Sequence, residues 1–181
     1  MKLTNPRQSI HDAFAIHLGG PTDNIGGGHS SGNNKRLSNA GTAGLIIQAV
    51  MNQAAHLRGT AIFLNAPENT ITMNDMIAMK TGVWTKFAAK NVVDPYHQGV
   101  LISHIDRILM GYRSRVHDNN SILHTLGGMF SNYAMQDDLT DEANKILDVL
   151  QGFDNRSLSP VIAVIREERE AEDAESNSEA A

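Results

Sequence analysis

Apolar residues recur every three or four positions along most of this chain, which is the spacing of amphipathic helices. The longest such stretch covers about 96–115, where Ile102, Ile105 and Leu109 share one face and charged residues lie opposite them. Residues 60–64 are either a short strand or a buried linker. The same apolar spacing predicts further helices over 6–18, 43–58, 121–134 and 139–151, of which the last is ended by Gly152. Asn5-Pro6 and the pair Thr72 and Asp75 are capping signals for helices that begin at 6 and 73, and Ser159-Pro160 begins a last helix through Ile165. The pattern therefore predicts an all-α fold, a compact multi-helix domain of about six to seven helices.

Two segments lack this pattern. Residues 19–41 are rich in Gly, Ser and Asn, and Ile25 and Leu37 are the only large apolar residues among them. A connection of this length inside a compact domain is usually functional or disordered, so we expect a flexible loop. After Ile165 no apolar face continues, which predicts a disordered acidic tail over 166–181. We expect residues 1–165 to form a single helical domain that precedes this tail.

The composition excludes several classes of protein. The chain has no cysteine, so a disulfide scaffold, a thiolate metal site and a cysteine nucleophile are ruled out. A reducing, cytoplasmic location is the expectation that follows. The first residues contain no apolar core of signal-peptide length, and no apolar run approaches the length of a membrane span. We therefore expect a soluble protein with no membrane partner.

Charge is distributed unevenly along the chain. Residues 1–117 hold 11 basic and 6 acidic residues, whereas residues 118–181 hold 4 basic and 14 acidic ones. The net charge of -5 comes entirely from the segment after Ile165, which has 2 basic and 7 acidic residues. A basic face on the first part of the chain would favour a polyanionic partner.

A possible helix-turn-helix is centred on Gly82. Predicted helices over 73–80 and 84–92 flank this glycine, and the small residue Ala78 precedes it by four positions, as the motif requires. The apolar positions of the second helix are displaced by about one residue from those of the motif. Two short helices that simply pack together are therefore the alternative.

The second helix of this pair would present polar and basic side chains to duplex DNA, with a lysine at the turn where phosphates pass. The candidate DNA-binding residues are Lys80, Trp84, Thr85, Lys86 and Lys90.

Lys35 and Arg36, at the end of the glycine-rich loop, are possible contacts to a nucleic acid backbone. The loop is not a P-loop, because two asparagines separate Gly32 from Lys35 and no strand precedes it. A plain flexible linker is the alternative.

The 8 histidines form no recognisable catalytic or metal-binding set. His97 and His104 are seven residues apart, whereas zinc ligands on a helix are typically three or four apart. No nucleophile motif and no pair of carboxylates in an apolar setting accompany them. We therefore expect no enzyme, no metal and no cofactor.

These features favour a non-enzymatic DNA-binding or regulatory protein, a homo-oligomer that binds double-stranded DNA through the helix pair near Gly82. The alternative is a structural or assembly protein of viral or plasmid accessory type, which associates with itself or with a larger protein partner. The acidic tail could bind a basic protein partner, shield the basic face from nucleic acid, or serve solubility alone.

Overall fold

The fold is that of a computed structural model, which describes residues 5–18, 32–118, 126 and 128–179. Over these residues the chain is helical and contains no strand, which confirms the predicted all-α class. Among residues 5–18, 32–118 and 128–179, no helix combines the length and the apolar character needed to cross a bilayer. The helices are α1 (Pro6–His17), α2 (Gly32–Met51), α3 (Ala55–Asn65), α4 (Met73–Ala88), α5 (Pro95–Asp118) and α6 (Gln136–Glu179), with a 3-10 turn at Glu68–Thr70.

The capping residues in the sequence correctly predict where α1 and α4 begin. The side chain of Asn5 accepts a hydrogen bond from the Arg7 amide (3.0 Å), and Pro6 occupies the first turn of α1. At the start of α4, the Thr72 hydroxyl accepts from the Asp75 amide (3.2 Å) and donates to the Asp75 carboxylate (2.6 Å). Both caps satisfy backbone amides that have no partner within the helix.

The boundaries of α2 and α3 differ from those predicted. Helix α2 already begins at Gly32, so the helix covers the end of the predicted loop; residues 19–31 lie outside the described residues. The chain leaves the helix at 52–54 and re-enters it, so residues 60–64 are helical rather than a strand or linker. Gly59 does not end a helix, because it lies inside α3 and faces α4. A Cβ atom on Gly59 would lie 2.3 Å from the Asp75 carbonyl oxygen.

The predicted helix-turn-helix is wrong, because Met73–Ala88 is one uninterrupted helix. Gly82 lies in its interior, where the missing side chain lets α4 approach α3. A Cβ atom at this position would lie only 2.4 Å from the His56 Cβ. The glycine is therefore explained by close helix packing and not by a turn. The helix also ends earlier than the predicted 84–92, and the Asn91 amide group caps it by donating to the Phe87 carbonyl (2.8 Å).

Helix α6 is also continuous where the sequence predicts two helices and a tail. Gly152 and Pro160 both lie inside it, and the helix extends through the acidic segment as far as Glu179. Buried residues on both sides of the proline, Leu158 and Val161, hold the helix against its neighbours despite the lost backbone hydrogen bond. The acidic segment is rich in Glu, Ala and Arg, which favour helix. As expected, none of its described side chains, 166–174, is buried.

The buried residues in the described part of the chain form two apolar clusters that share α3 and α6. The first cluster joins α3, α4, α5 and α6 around Phe63, Phe87 and Phe130. The second joins α1, α2, α3 and α6 around Ile10 and Ile46. Because α3 and α6 contribute residues to both clusters, these two helices hold the rest of the molecule in place.

Candidate functional site

The five predicted DNA-binding residues do not form one surface. Lys80 is ion-paired with Asp106 on α5. Trp84, one turn further along the same face of α4, is half-buried against the first cluster, with its ring centroid 5.4 Å from that of Phe87. Thr85 is exposed. Lys86 and Lys90 are exposed at the end of α4, on the side that faces α6.

Lys86 and Lys90 lie in a cleft of about 360 Å³ between the end of α4 and the middle of α6. Helix α6 supplies two further cations, Lys145 and Arg156. We call the surface formed by these four side chains the basic cleft. The remaining lining residues are Asn91, Asp148, Val149, Gly152 and Phe153.

The positive charge of the basic cleft is not neutralised by ion pairs among the residues that the structure describes. No residue in the described parts of the chain forms an ion pair with Lys86, Lys90, Lys145 or Arg156. Asp148 is the only acidic residue among the described side chains that line it. Four cations against one carboxylate make this a site of positive potential, and the surrounding apolar surface strengthens its field.

The local structure explains how the cations converge. Lys86 lies in the last turn of α4, and Lys90 lies in the turn that follows it, where its amide donates to the Phe87 carbonyl (3.1 Å). Both side chains therefore reach the cleft from the same end of α4. On α6, Lys145 and Arg156 are three helical turns apart, and the small residue Gly152 lies between them. Apart from its chain neighbours and the local backbone of α6, no described atom lies within 4 Å of a Cβ position at Gly152, so the cleft is open there.

A histidine packs behind the basic cleft but adds little charge to it. The ring centroids of His56 and Phe153 are 4.7 Å apart. Burial, and then the nearby charge of Arg156, lower the pKa of His56 below its ordinary value. The imidazole is therefore mostly neutral at pH 7, and the four side chains of the basic cleft supply its charge.

A second, larger cleft of about 640 Å³ lies between α1, the Glu68–Thr70 turn and α5, and its main cations are already engaged. Arg7 donates to both carboxylate oxygens of buried Asp154 (2.9 and 2.5 Å) and to the Asn65 side chain (3.1 Å). The guanidinium of Arg113 lies 5.5 Å from the centre of the Phe63 ring. These contacts hold helices together and leave the basic cleft as the better site for an external anion.

Asp154 also receives a hydrogen bond from the Tyr112 hydroxyl (3.0 Å). Burial, together with the adjacent Asp154 charge, raises the pKa of Tyr112 well above its ordinary value. The phenol therefore stays protonated and serves as a donor to the carboxylate.

Sequence reasoning missed two features. Lys145 and Arg156 lie in the acidic half of the chain, and only the packing of α6 against α4 brings them to Lys86 and Lys90. His97 is buried with its Nδ1 atom 3.1 Å from a Glu142 oxygen, a partner 45 positions away. No group of three or more His, Cys, Asp or Glu residues within the described ranges is arranged to hold a metal ion.

The predicted backbone contacts, Lys35 and Arg36, belong to α2, but their side chains lie outside the described part of the structure.

The chain matches no known protein family, no curated protein and no solved structure.

Proposed function

We propose that this chain is a non-enzymatic nucleic-acid-binding protein of regulatory type, which binds the phosphate backbone of double-stranded DNA in the basic cleft. The observation that supports the proposal is the convergence of Lys86 and Lys90 with Lys145 and Arg156, with no ion pair to neutralise them among the described residues. Lysine and arginine side chains are the main protein ligands of phosphate oxygens in DNA complexes.

The proposal differs from recognition by a helix-turn-helix. Contacts to phosphates orient a protein on the duplex but carry no base sequence, which is read from the edges of the bases. Lys86 and Lys90 lie at the end of a helix that packs in the core, so they suit contacts to the backbone. We therefore expect binding that depends strongly on salt and weakly on DNA sequence.

The direct test is the salt dependence of binding to a short duplex, measured by fluorescence anisotropy. If all four cations contact phosphates, the logarithm of the association constant should fall with that of salt with a slope of about -3.6. The double variant Lys86→Ala, Lys90→Ala should lower affinity about tenfold and bring the slope near -1.8.

The matched control removes two positive charges elsewhere. Lys80→Ala with Arg107→Ala changes the net charge equally, but Lys80 is paired with Asp106 and neither residue lines the basic cleft. Binding and salt slope should stay close to those of the unaltered chain. Equal losses in both double variants would assign binding to net charge alone and contradict the site. The same affinity and salt-slope measurements on single-stranded DNA and on RNA of equal length compare these backbones with duplex DNA.

A structural or assembly role is the second candidate. The separation of charge supports it, since the basic cleft and the acidic end of α6 lie on different parts of one chain. Opposite charges held apart in this way favour association between copies.

A further inference from the structure

Helix α6 carries opposite charges in two places. Its middle supplies Lys145 and Arg156 to the basic cleft. Its end, residues 166–179, holds 7 acidic residues and 2 arginines, and we call it the acidic helix end. This segment has a net charge of -5, whereas the basic cleft holds four cations and one carboxylate.

The acidic helix end is held away from the basic cleft of its own chain. Ile165, at its base, is buried in the second cluster beside residues of α2. Three residues later, the Glu168 carboxylate accepts a hydrogen bond from the Thr42 hydroxyl of α2 (2.7 Å). The rise of an α-helix places Glu170 about 21 Å beyond Arg156 along the axis. Because α2 anchors this part of α6, the segment does not fold back to the cleft.

We propose that the acidic helix end of one copy binds in the basic cleft of a second copy of this chain. The inference rests on the proposed function only in that both need the cleft to bind anions. Charge complementarity specifies the partner, since a helix with several carboxylates offers the cations the same kind of acceptor as a row of phosphates. The contact uses different surfaces of the two copies, so it adds copies head to tail.

This contact would also regulate nucleic acid binding. DNA and a neighbouring acidic helix end compete for the same four cations, so high protein concentration opposes binding at each cleft that a neighbour occupies. The effect requires a second molecule and therefore grows with protein concentration. Shielding by the tail of the same chain would not depend on protein concentration.

The test is a charge exchange followed by sedimentation velocity at low salt. Lys86→Glu with Lys90→Glu makes the cleft acidic, and Glu167→Lys with Glu170→Lys makes the helix end less acidic. The unaltered chain should sediment faster as its concentration rises. Each double variant alone should associate at least about tenfold more weakly. In the cleft variant like charges then meet at the contact, and in the helix-end variant the net charge of the segment falls from -5 to -1. An equimolar mixture of the two should recover association, because the unaltered helix end of the cleft variant can bind the unaltered cleft of the helix-end variant.

Two results would overturn the inference: an unaltered chain that stays monomeric over the whole concentration range, or double variants that associate as strongly alone as mixed. DNA binding by the helix-end variant separates this failure from failure of the proposed function. If the helix-end variant still binds duplex DNA with the salt slope of about -3.6 expected for four phosphate contacts, only the head-to-tail contact is refuted and the proposed function stands. If the variant Lys86→Glu, Lys90→Glu binds DNA as the unaltered chain does, the basic cleft is not the DNA site and the proposed function is refuted as well.

Discussion

Two glycines set the distance between α3 and α4. Gly59 on α3 faces the backbone of Asp75, and Gly82 on α4 faces the Cβ of His56, so each helix has a glycine at a close contact with the other. A methyl group at Gly59 would overlap the Asp75 carbonyl oxygen, and one at Gly82 would overlap the His56 Cβ. These contacts leave little room for relaxation, because shifting them requires moving a whole helix.

We expect Gly82→Ala to destabilise the protein. The clash with His56 should cost about 1–3 kcal/mol, and the better helix propensity of alanine should offset about 1 kcal/mol of it. Gly99→Ala is the matched control, since Gly99 lies inside α5 and, apart from its chain neighbours and the local helix backbone, no described atom lies within 4 Å of the added Cβ. It should raise the free energy of unfolding by about 0.5–1 kcal/mol. Urea unfolding measures both, and a stabilised Gly82→Ala variant would contradict the close-packing role.

The same glycine shows what sequence can and cannot predict at the residue scale. Local signals were sufficient for the caps at Asn5 and Thr72, since each cap involves residues at most three positions apart. Gly82 was misinterpreted because a glycine that ends a helix and one that admits a neighbouring helix look identical in sequence. The difference lies in His56, which only the fold brings next to it.

At the scale of helices, one buried carboxylate joins four elements. Asp154 of α6 is bound by Arg7 of α1 and by Tyr112 of α5, and Asn65 of α3 accepts from the same arginine. Asp154 is 1% exposed, so these donors take the place of the water that its carboxylate would bind at the surface. The network fixes how α1 and α5 meet the central helix α6.

This network predicts how stability changes at alkaline pH. Folding raises the pKa of Tyr112, so above pH about 10 the unfolded chain loses a phenol proton that the folded chain keeps. Deprotonation then lowers the free energy of the unfolded state relative to that of the folded state. The contribution of Tyr112 is therefore complete below pH about 10 and is lost as pH rises, by up to about 1.4 kcal/mol per pH unit.

Tyr112→Phe should remove this dependence. At pH 7 the variant should be less stable by about 1–3 kcal/mol, because Asp154 loses one donor. The difference from the unaltered chain should shrink as pH rises from about 9 to about 11. Urea unfolding across this range checks it, with Tyr96→Phe as a control on an exposed ring. A difference that stays constant with pH would contradict the assigned environment of Tyr112.

Helix continuity was harder to predict than helix identity. Gly152 and Pro160 both indicated interruptions in sequence, yet α6 passes through them. Leu158, Val161 and Ile165 are buried, and this packing outweighs the local preference. The basic cleft was only half predicted for the same reason. Lys86 and Lys90 were candidates from their own segment, whereas Lys145 and Arg156 reach the cleft through long-range packing of α6.

At the scale of the whole molecule, α6 links both apolar clusters as well as the two charged regions. Leu150 and Phe153 belong to the first cluster, and Val161 and Ile165 to the second, along one helix. Helix α3 bridges the clusters in the same way. A molecule whose clusters share two helices should unfold as one cooperative unit, because neither cluster can open without disturbing a shared helix.

A conservative change in the second cluster tests this cooperativity. Ile46 is fully buried there, and Ile46→Val should lower the free energy of unfolding by about 0.5–1.5 kcal/mol. Trp84, the only tryptophan of the chain, packs against the first cluster and reports on it by fluorescence. If the clusters unfold together, the urea midpoints from Trp84 fluorescence and from far-ultraviolet circular dichroism should shift equally.

Ile102→Val, at an exposed position of α5, should move neither midpoint appreciably. A fluorescence midpoint that stays in place while the dichroism midpoint falls would mean that the two clusters unfold separately, and that α6 does not couple them.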